Sequence, residues 1–450
     1  MAMIGMTRAT LLAFAAAALF AGGNTIAAQQ PAHVPNHVPN IDMTPVKPES
    51  VGFSTERLER LHAIVQGEVD SKQLAGAITI LARHGKIVDY HLYGNRDAAA
   101  GTPMTKDTIF RDYSMTKPVT GVAMMILYEQ GKWQPQDPIS KFIPEFAHLK
   151  VFNGVDANGK MILVDPDHVP TMRELMTHTA GFSYGGGTTL ADKVYADLKI
   201  RDAKTPQEMI DDFAQAPLFY QPGKGWLYSM SMDIQGYIVA RLSGQSLPDF
   251  MRDNIFAPLG MKDAGFYVPA DKRNRFAPNY RYNSKTGQLD EDPTVSGIPT
   301  DYTEQPANPS GGGGLVSSAE DYYRFAQMLG NGGQLDGVRI LSPATVKLMT
   351  SNHLPASLLT GEWSLGMHVM RPGFGYGYDG AVIFDPADAN LPDGKGTYFW
   401  DGAAGTWFWV DPTNDVVFVG MIQRMTCPDN HPLLYRTHAA VYGALVDPAK

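Results

Sequence analysis

A chain of 450 residues, 44% of them hydrophobic, is long enough for one large domain or two intimately packed ones. Its formal net charge of -9 argues against nucleic acid and against anionic membrane surfaces as partners. The single cysteine, Cys427, excludes an internal disulfide and a thiolate metal site, and the 12 histidines form no H-E-x-x-H or similar pair, so neither metal nor cofactor is expected.

Residues 1–28 have the pattern of a secretory signal. Arg8 supplies the positive charge, Ala9 to Gly22 is apolar but short for a bilayer span, and Thr25-Ile26-Ala27-Ala28 offers small residues for cleavage. Residues 29–50, with Pro31, Pro35, Pro39 and Pro45, form an extended leader. A periplasmic or secreted protein with no stable membrane insertion after cleavage is the expectation.

From Thr55 an amphipathic helix presents Leu58, Leu61, Ile64 and Val65 on one face, with Ser54 or Thr55 as its cap. Ala75 to Arg83 and Ile87 to Tyr93 are β-rich runs joined by His84-Gly85-Lys86, a hairpin. Then comes Phe110-Arg111-Asp112-Tyr113-Ser114-Met115-Thr116-Lys117-Pro118, holding the one S-x-x-K of the chain. The apolar run after it, Val119 to Tyr128, predicts a buried helix with Ser114 near its N-terminus and Pro118 in its first turn. Residues three apart on a helix share a face, so the Lys117 amine reaches the Ser114 hydroxyl and acts as the base a serine nucleophile needs. The tetrapeptide alone fits a serine cap beside a solvated lysine equally well.

Asn153 to Val164 reads as a surface hairpin turning at Asn158-Gly159. Thr171 to Gly181 reads as a short capped helix, in which His178 is a packing residue. Thr205 to Met261 is mostly helical, with loops at Tyr220–Gly225 and Leu242–Gly244. Tyr228 sits where the first loop enters a helix. A phenol near a lysine ammonium loses its proton more readily and can serve as general base or acid. Asn274 to Gln305 is a polar excursion. Within it Lys285-Thr286-Gly287 spells K-T-G, a partner of S-x-x-K, but sits in a solvated hairpin turn. Ser310 to Leu315, with four consecutive glycines, marks a tight backbone passage before a helix from Ala319 to Leu329. β character returns at Gly380–Phe384, Tyr398–Trp400, Thr406–Val410 and Val416–Gln423, and a helix from Pro432 to Val446 closes the chain. In Trp400-Asp401-Gly402-Ala403 the small residues allow a ligand to approach a strand edge, and the N–H groups of Ser114 and Ala403 would form a pair of oxyanion donors. The pattern is α+β: a sheet domain from residues 51–130 and 290–450, and a mainly helical domain from 131–289.

Taken in order, Phe110–Thr120, Leu127–Phe146, Thr171–Phe182, Pro222–Gly236, Gly311–Ser318 and Trp400–Pro412 resemble the serine β-lactamase and penicillin-binding-protein superfamily, above all the class C β-lactamase-like or family VIII carboxylesterases. The resemblance implies an antiparallel sheet flanked by helices, with an inserted all-helical domain and the site between them. It implies Ser114 as the acylated nucleophile, Lys117 and Tyr228 as its proton-handling partners, and Trp400-Asp401-Gly402 in place of the K-T-G strand. Two positions depart from the β-lactamases. Met230 stands where they have an amide-binding Asn, and Trp400 where they have the Lys that faces the β-lactam carboxylate. Trp400, Asp401, Gly402 and Met230 are therefore expected to line a site for an uncharged ester. Asp401 stands where the esterases commonly carry glycine. The expected activity is hydrolysis of short-chain carboxylic esters through an acyl-enzyme. The alternatives are a β-lactamase, a D-alanyl-D-alanine peptidase or a small-amide hydrolase on the same residues, or a binding protein on a retired scaffold.

Overall fold

The β-rich ends of the chain meet in one eight-stranded sheet. Its order is Phe374–Tyr376, Ala381–Ile383, Thr397–Asp401, Trp407–Asp411, Val416–Met421, Gly76–Arg83, Lys86–Asp97 and Thr102–Pro103. Every pairing is antiparallel. The closing contact joins Val416–Met421 to Gly76–Arg83, in a register running from Ile78 opposite Met421 to Arg83 opposite Val416. The computed structural model describes Val38 and residues 40–292, 301–359, 371–425 and 432–448. The signal-like segment, most of the leader before Asn40 and Cys427 lie outside the described residues.

The central strands are buried along their whole length, so they carry apolar residues on both faces instead of alternating. Successive residues show why. The ring of Phe408 meets Tyr322 of the Ala319–Gly330 helix at 5.1 Å, while the ring of Trp409 stacks at 3.8 Å on His438 of the Pro432–Ala444 helix. Helices thus cover both sides of the sheet, and the Thr55–Asp70 helix packs beside the C-terminal one. The fold is that of the β-lactamases and transpeptidases.

Most elements fall where the residues place them. Ser54 caps the first helix by accepting from the Arg57 N–H, and Thr171 and Glu174 form a reciprocal capping box. The Lys285 motif is a turn between Tyr280–Asn283 and Gln288–Glu291, as its polarity requires. The helix after Thr171 is shorter than expected: it spans Met172–Met176 and ends before His178, which adopts a left-handed φ of 59°. Two further helices, Leu190–Leu198 and Pro343–Met349, carry sequence signals of their own. Thr189 and Asp192 make a second capping box, and Ser342 caps a helix with proline at its start. Among the described residues no helix is long and apolar enough to cross a membrane.

Candidate active site

The site is built on the start of the Thr116–Glu129 helix, whose sides are buried nearly all round. Ser114 occupies a one-turn 3-10 helix, Tyr113–Met115, just ahead of it. Tyr113 holds a left-handed φ of 46°, an uncommon conformation for a bulky residue. Its ring packs edge-on against Tyr302 at 5.8 Å, and its hydroxyl accepts from Asn279 Nδ2 at 3.4 Å. Backbone strain at this point is held by packing directly before Ser114.

Lys117 lies one turn on and is fully buried. Its Nζ bonds Ser114 Oγ at 3.2 Å, the Tyr184 hydroxyl at 3.0 Å and the Gly312 carbonyl at 2.7 Å. Burial pulls its pKa from 10.5 down to about 7, against the opposing pull of Asp233, Asp379 and Asp401. A neutral amine has two N–H donors and one lone pair. The Gly312 carbonyl accepts one donor and Tyr184 the other, which leaves the lone pair for the Ser114 hydroxyl.

Tyr228 arrives from the segment between Pro222 and the Ser231–Ser243 helix. That segment is pinned by the Gly223 N–H on the Thr179 carbonyl and the Leu227 N–H on the His178 carbonyl, both at 2.9 Å. The Tyr228 hydroxyl donates to Ser114 Oγ at 2.7 Å, and Lys117 Nζ lies 4.6 Å from its ring centroid. The expectation that a neighbouring ammonium would ease loss of the phenolic proton is not met. Burial raises the Tyr228 pKa above its ordinary value, because removing the phenolate from water outweighs any help from a lysine that is itself close to neutral.

The Gly312 carbonyl is held in place by the glycine passage. Thr120 Oγ1 donates to the Gly311 carbonyl at 2.7 Å, and Thr116 Oγ1 accepts from the Leu315 N–H at 3.0 Å. The buried Asp233 carboxylate accepts from the Ser310 hydroxyl and from the Gly312 N–H at 3.3 Å. A Cβ on Gly311 would stand 2.3 Å from the Met232 carbonyl oxygen, so the glycine lets this backbone approach the Ser231–Ser243 helix. Asp233 is thus a positioning residue for the carbonyl that orients Lys117.

The Thr397–Asp401 strand borders the site from the sheet side. Trp400 is buried, with its ring 5.5 Å from Tyr228 and 5.4 Å from Tyr376. It backs the phenol as a wall. Asp401 is buried at the strand end, and its charge acts on both Lys117 and Tyr228. Met230 is buried at the cap of the Ser231–Ser243 helix, and His178 Nδ1 lies 3.0 Å from Ser229 Oγ beneath the Tyr228 ring. Burial lowers the His178 pKa, so the imidazole is neutral and packs, as expected. Ala403 lies in the turn from Gly402 to Gly405, where the Gly402 N–H donates to the Thr406 carbonyl at 2.7 Å. Thr406 Oγ1 donates to the Asp112 carbonyl at 3.2 Å, which ties this turn to the residue two before Ser114.

A Cβ on Gly402 would fall 2.4 Å from that same Asp112 oxygen and 2.3 Å from Thr406 Oγ1. Gly402→Ala is expected to cost roughly 1–3 kcal/mol by forcing strand and turn apart. Chemical denaturation measures the loss, and unchanged stability together with unchanged kcat would disprove the close approach.

Ser114, Lys117 and Tyr228 converge from distant parts of the chain, as their types and context require. Tyr184 and the Gly312 carbonyl are additions to the expected set. The family-like segment Thr171–Phe182 stops two residues short of Tyr184, whose only signal is its place after a glycine-ended turn. A backbone carbonyl has no sequence signal beyond the glycines that admit it.

The β-lactamase family profile matches residues 61–442. Among similar proteins, Esterase EstB of Burkholderia gladioli is 32% identical over 394 residues, covering 81% of this chain and 91% of its own. Protein Rv1367c of Mycobacterium tuberculosis is 36% identical over 380 residues, covering 83% and 91%. Among solved structures, EstCE1, described as a hydrolase with promiscuous acyltransferase activity, superposes with a TM-score of 0.73 at 27% identity and covers 86% of this chain and 98% of its own. EstB and EstCE1 support an enzyme of ester hydrolysis or acyl transfer. The chain belongs to the β-lactamase family, in the superfamily of serine β-lactamases and penicillin-binding proteins that includes the family VIII esterases.

Proposed function

We propose that the protein is a serine carboxylesterase that cleaves short-chain carboxylic esters through an acyl-enzyme on Ser114. One observation carries the reading: Ser114 Oγ lies within hydrogen-bond distance of both a lysine brought to about pH 7 by burial and a tyrosine that stays protonated. Ser114 Oγ attacks the ester carbonyl and its proton passes to Lys117 Nζ. The N–H groups of Ser114 and Ala403 stabilise the oxyanion. Tyr228 gives its proton to the departing alkoxide and recovers one from the Lys117 ammonium. Water, activated by the same lysine, then releases the acid. The close tie of Gly402 and Thr406 to the Asp112 carbonyl supports Ala403 as the second oxyanion donor.

Lack of a cation at Trp400 and of an amide at Met230 favours an uncharged ester over a β-lactam carboxylate. The signal-like residues 1–28 support action in the periplasm or outside the cell. The name of EstCE1 supports a second outlet for the acyl-enzyme, transfer to an alcohol in place of water. Purified protein should turn over p-nitrophenyl butyrate with a kcat/KM at least about 1,000-fold above that for nitrocefin, a gap of roughly 4 kcal/mol in transition-state binding. Equal or faster nitrocefin hydrolysis would replace the esterase reading with the β-lactamase one.

A further inference from the structure

The Thr55–Asp70 helix and the Lys86–Asp97 strand bring together a set of side chains with no part in the Ser114 cluster. Asp89 and His91 are two apart on the strand, so both face the same side. His62 meets them from the helix. One donor atom from each of His62, Asp89 and His91 lies within 4.8 Å of the others. His62 Nε2 is 3.0 Å from Asp89 Oδ1, and the rings of His62 and His91 are 4.2 Å apart.

Hydrogen bonding within the protein leaves this group under-satisfied. The second carboxylate oxygen of Asp89 is buried and has no hydrogen-bond partner among the described residues. His91 makes ring contacts with His62 and Tyr93, and among the described residues its nitrogens have no hydrogen-bond partner. Two imidazoles at this distance repel each other when both are charged, and one carboxylate cannot neutralise both. The remaining nitrogen of His62, Nδ1, faces Glu59 Oε2 at 3.5 Å. A carboxylate behind a ligating imidazole is the arrangement that fixes its tautomer and strengthens its donor nitrogen.

We propose that His62, Asp89 and His91 form a zinc-type site. Two imidazole nitrogens and a carboxylate oxygen bind Zn2+, water completes a tetrahedron, and Glu59 orients His62 from behind. Bond lengths of about 2.0–2.2 Å need donors about 3.3 Å apart, which small rotations of these side chains supply. The ion links the first helix to the sheet. It plays no part in the ester chemistry, and its role is to fasten these two elements. The sequence hides this set because the histidines come from separate elements, 29 positions apart, in place of a short ligand-pair motif.

Titration of the metal-stripped protein with ZnCl2, followed by calorimetry, should give one saturable site of micromolar or tighter affinity. Glu59→Gln should weaken it about tenfold, and the double variant His62→Asn/His91→Asn by at least about 100-fold. Hydrolysis of p-nitrophenyl butyrate by each variant reports that it is folded. Co2+ added to the unmutated protein should show the intense visible absorption of four-coordinate geometry, a readout independent of any variant. Absence of saturable Zn2+ binding below millimolar concentration, an affinity unchanged in the double variant, or only the faint spectrum of hexaaqua-like Co2+ would each overturn the assignment.

Discussion

Ser114→Ala is expected to lower kcat for p-nitrophenyl butyrate by about 10,000- to 1,000,000-fold, with thermal unfolding close to that of the unmutated protein. The hydroxyl is the atom on which the Lys117 and Tyr228 contacts converge, at 3.2 and 2.7 Å. Without it, neither proton-handling group has a substrate-attacking partner, and the oxyanion donors alone supply a small residual rate. The fold keeps its supports, because the helix is held by its own buried face and by the glycine passage. Fluorophosphonate labelling, read by intact mass, should mark the unmutated protein once and the variant not at all. Turnover surviving in the variant, or a label elsewhere in the chain, refutes the assignment of the nucleophile.

Lys117→Met should lower kcat by about 10,000-fold and should also change how the protein responds to pH. With the lysine brought down to about 7, kcat/KM of the unmutated enzyme rises with pH through an inflection near 7, where the amine becomes neutral. Tyr228, whose pKa lies above its ordinary value, sets no falling limb below pH 10. The same shift acts on stability. Between about 7 and 10.5 the unfolded chain binds a proton on this lysine that the folded protein does not. Stability contributed by this residue therefore rises with pH across that window, and below it the cost of burying the ammonium is fully felt. Other buried groups titrate nearby: Asp112 is raised to about 8. The difference between the unmutated protein and Lys117→Met isolates the lysine. A pH–rate profile flat from 6 to 9, or unfolding curves that shift identically with pH in both proteins, would rule out a neutral lysine base.

The meeting of Ser114, Lys117 and Tyr228 was legible because each member carries a local signature. Ser114 and Lys117 sit at helical spacing before an apolar run, and Tyr228 sits at a turn-to-helix junction. The sheet was legible because its strands are buried on both faces and read as short apolar runs between turns. Hidden features depend on encounters that sequence spacing does not encode. Tyr184 reaches Lys117 across 67 positions, and the Gly312 carbonyl reaches it across 195. The Tyr228 pKa departs from the sequence expectation for the same reason. A neighbour's charge can be guessed from residue types, but the desolvation that overrides it depends on what packs around both. Asp401, inexplicable as a letter in a motif, becomes an anion at a strand end whose field opposes the fall in the lysine pKa.

The sheet cannot close until the last strands are made, since Val416–Met421 is the partner of Gly76–Arg83. Early segments emerging from a ribosome lack the strand that completes their hydrogen bonds, and so much chain must be gathered before that pairing forms that folding is slow. Throughout synthesis Gly76–Arg83 therefore keeps one edge without its partner, and that edge is covered only once the C-terminal strands have been added.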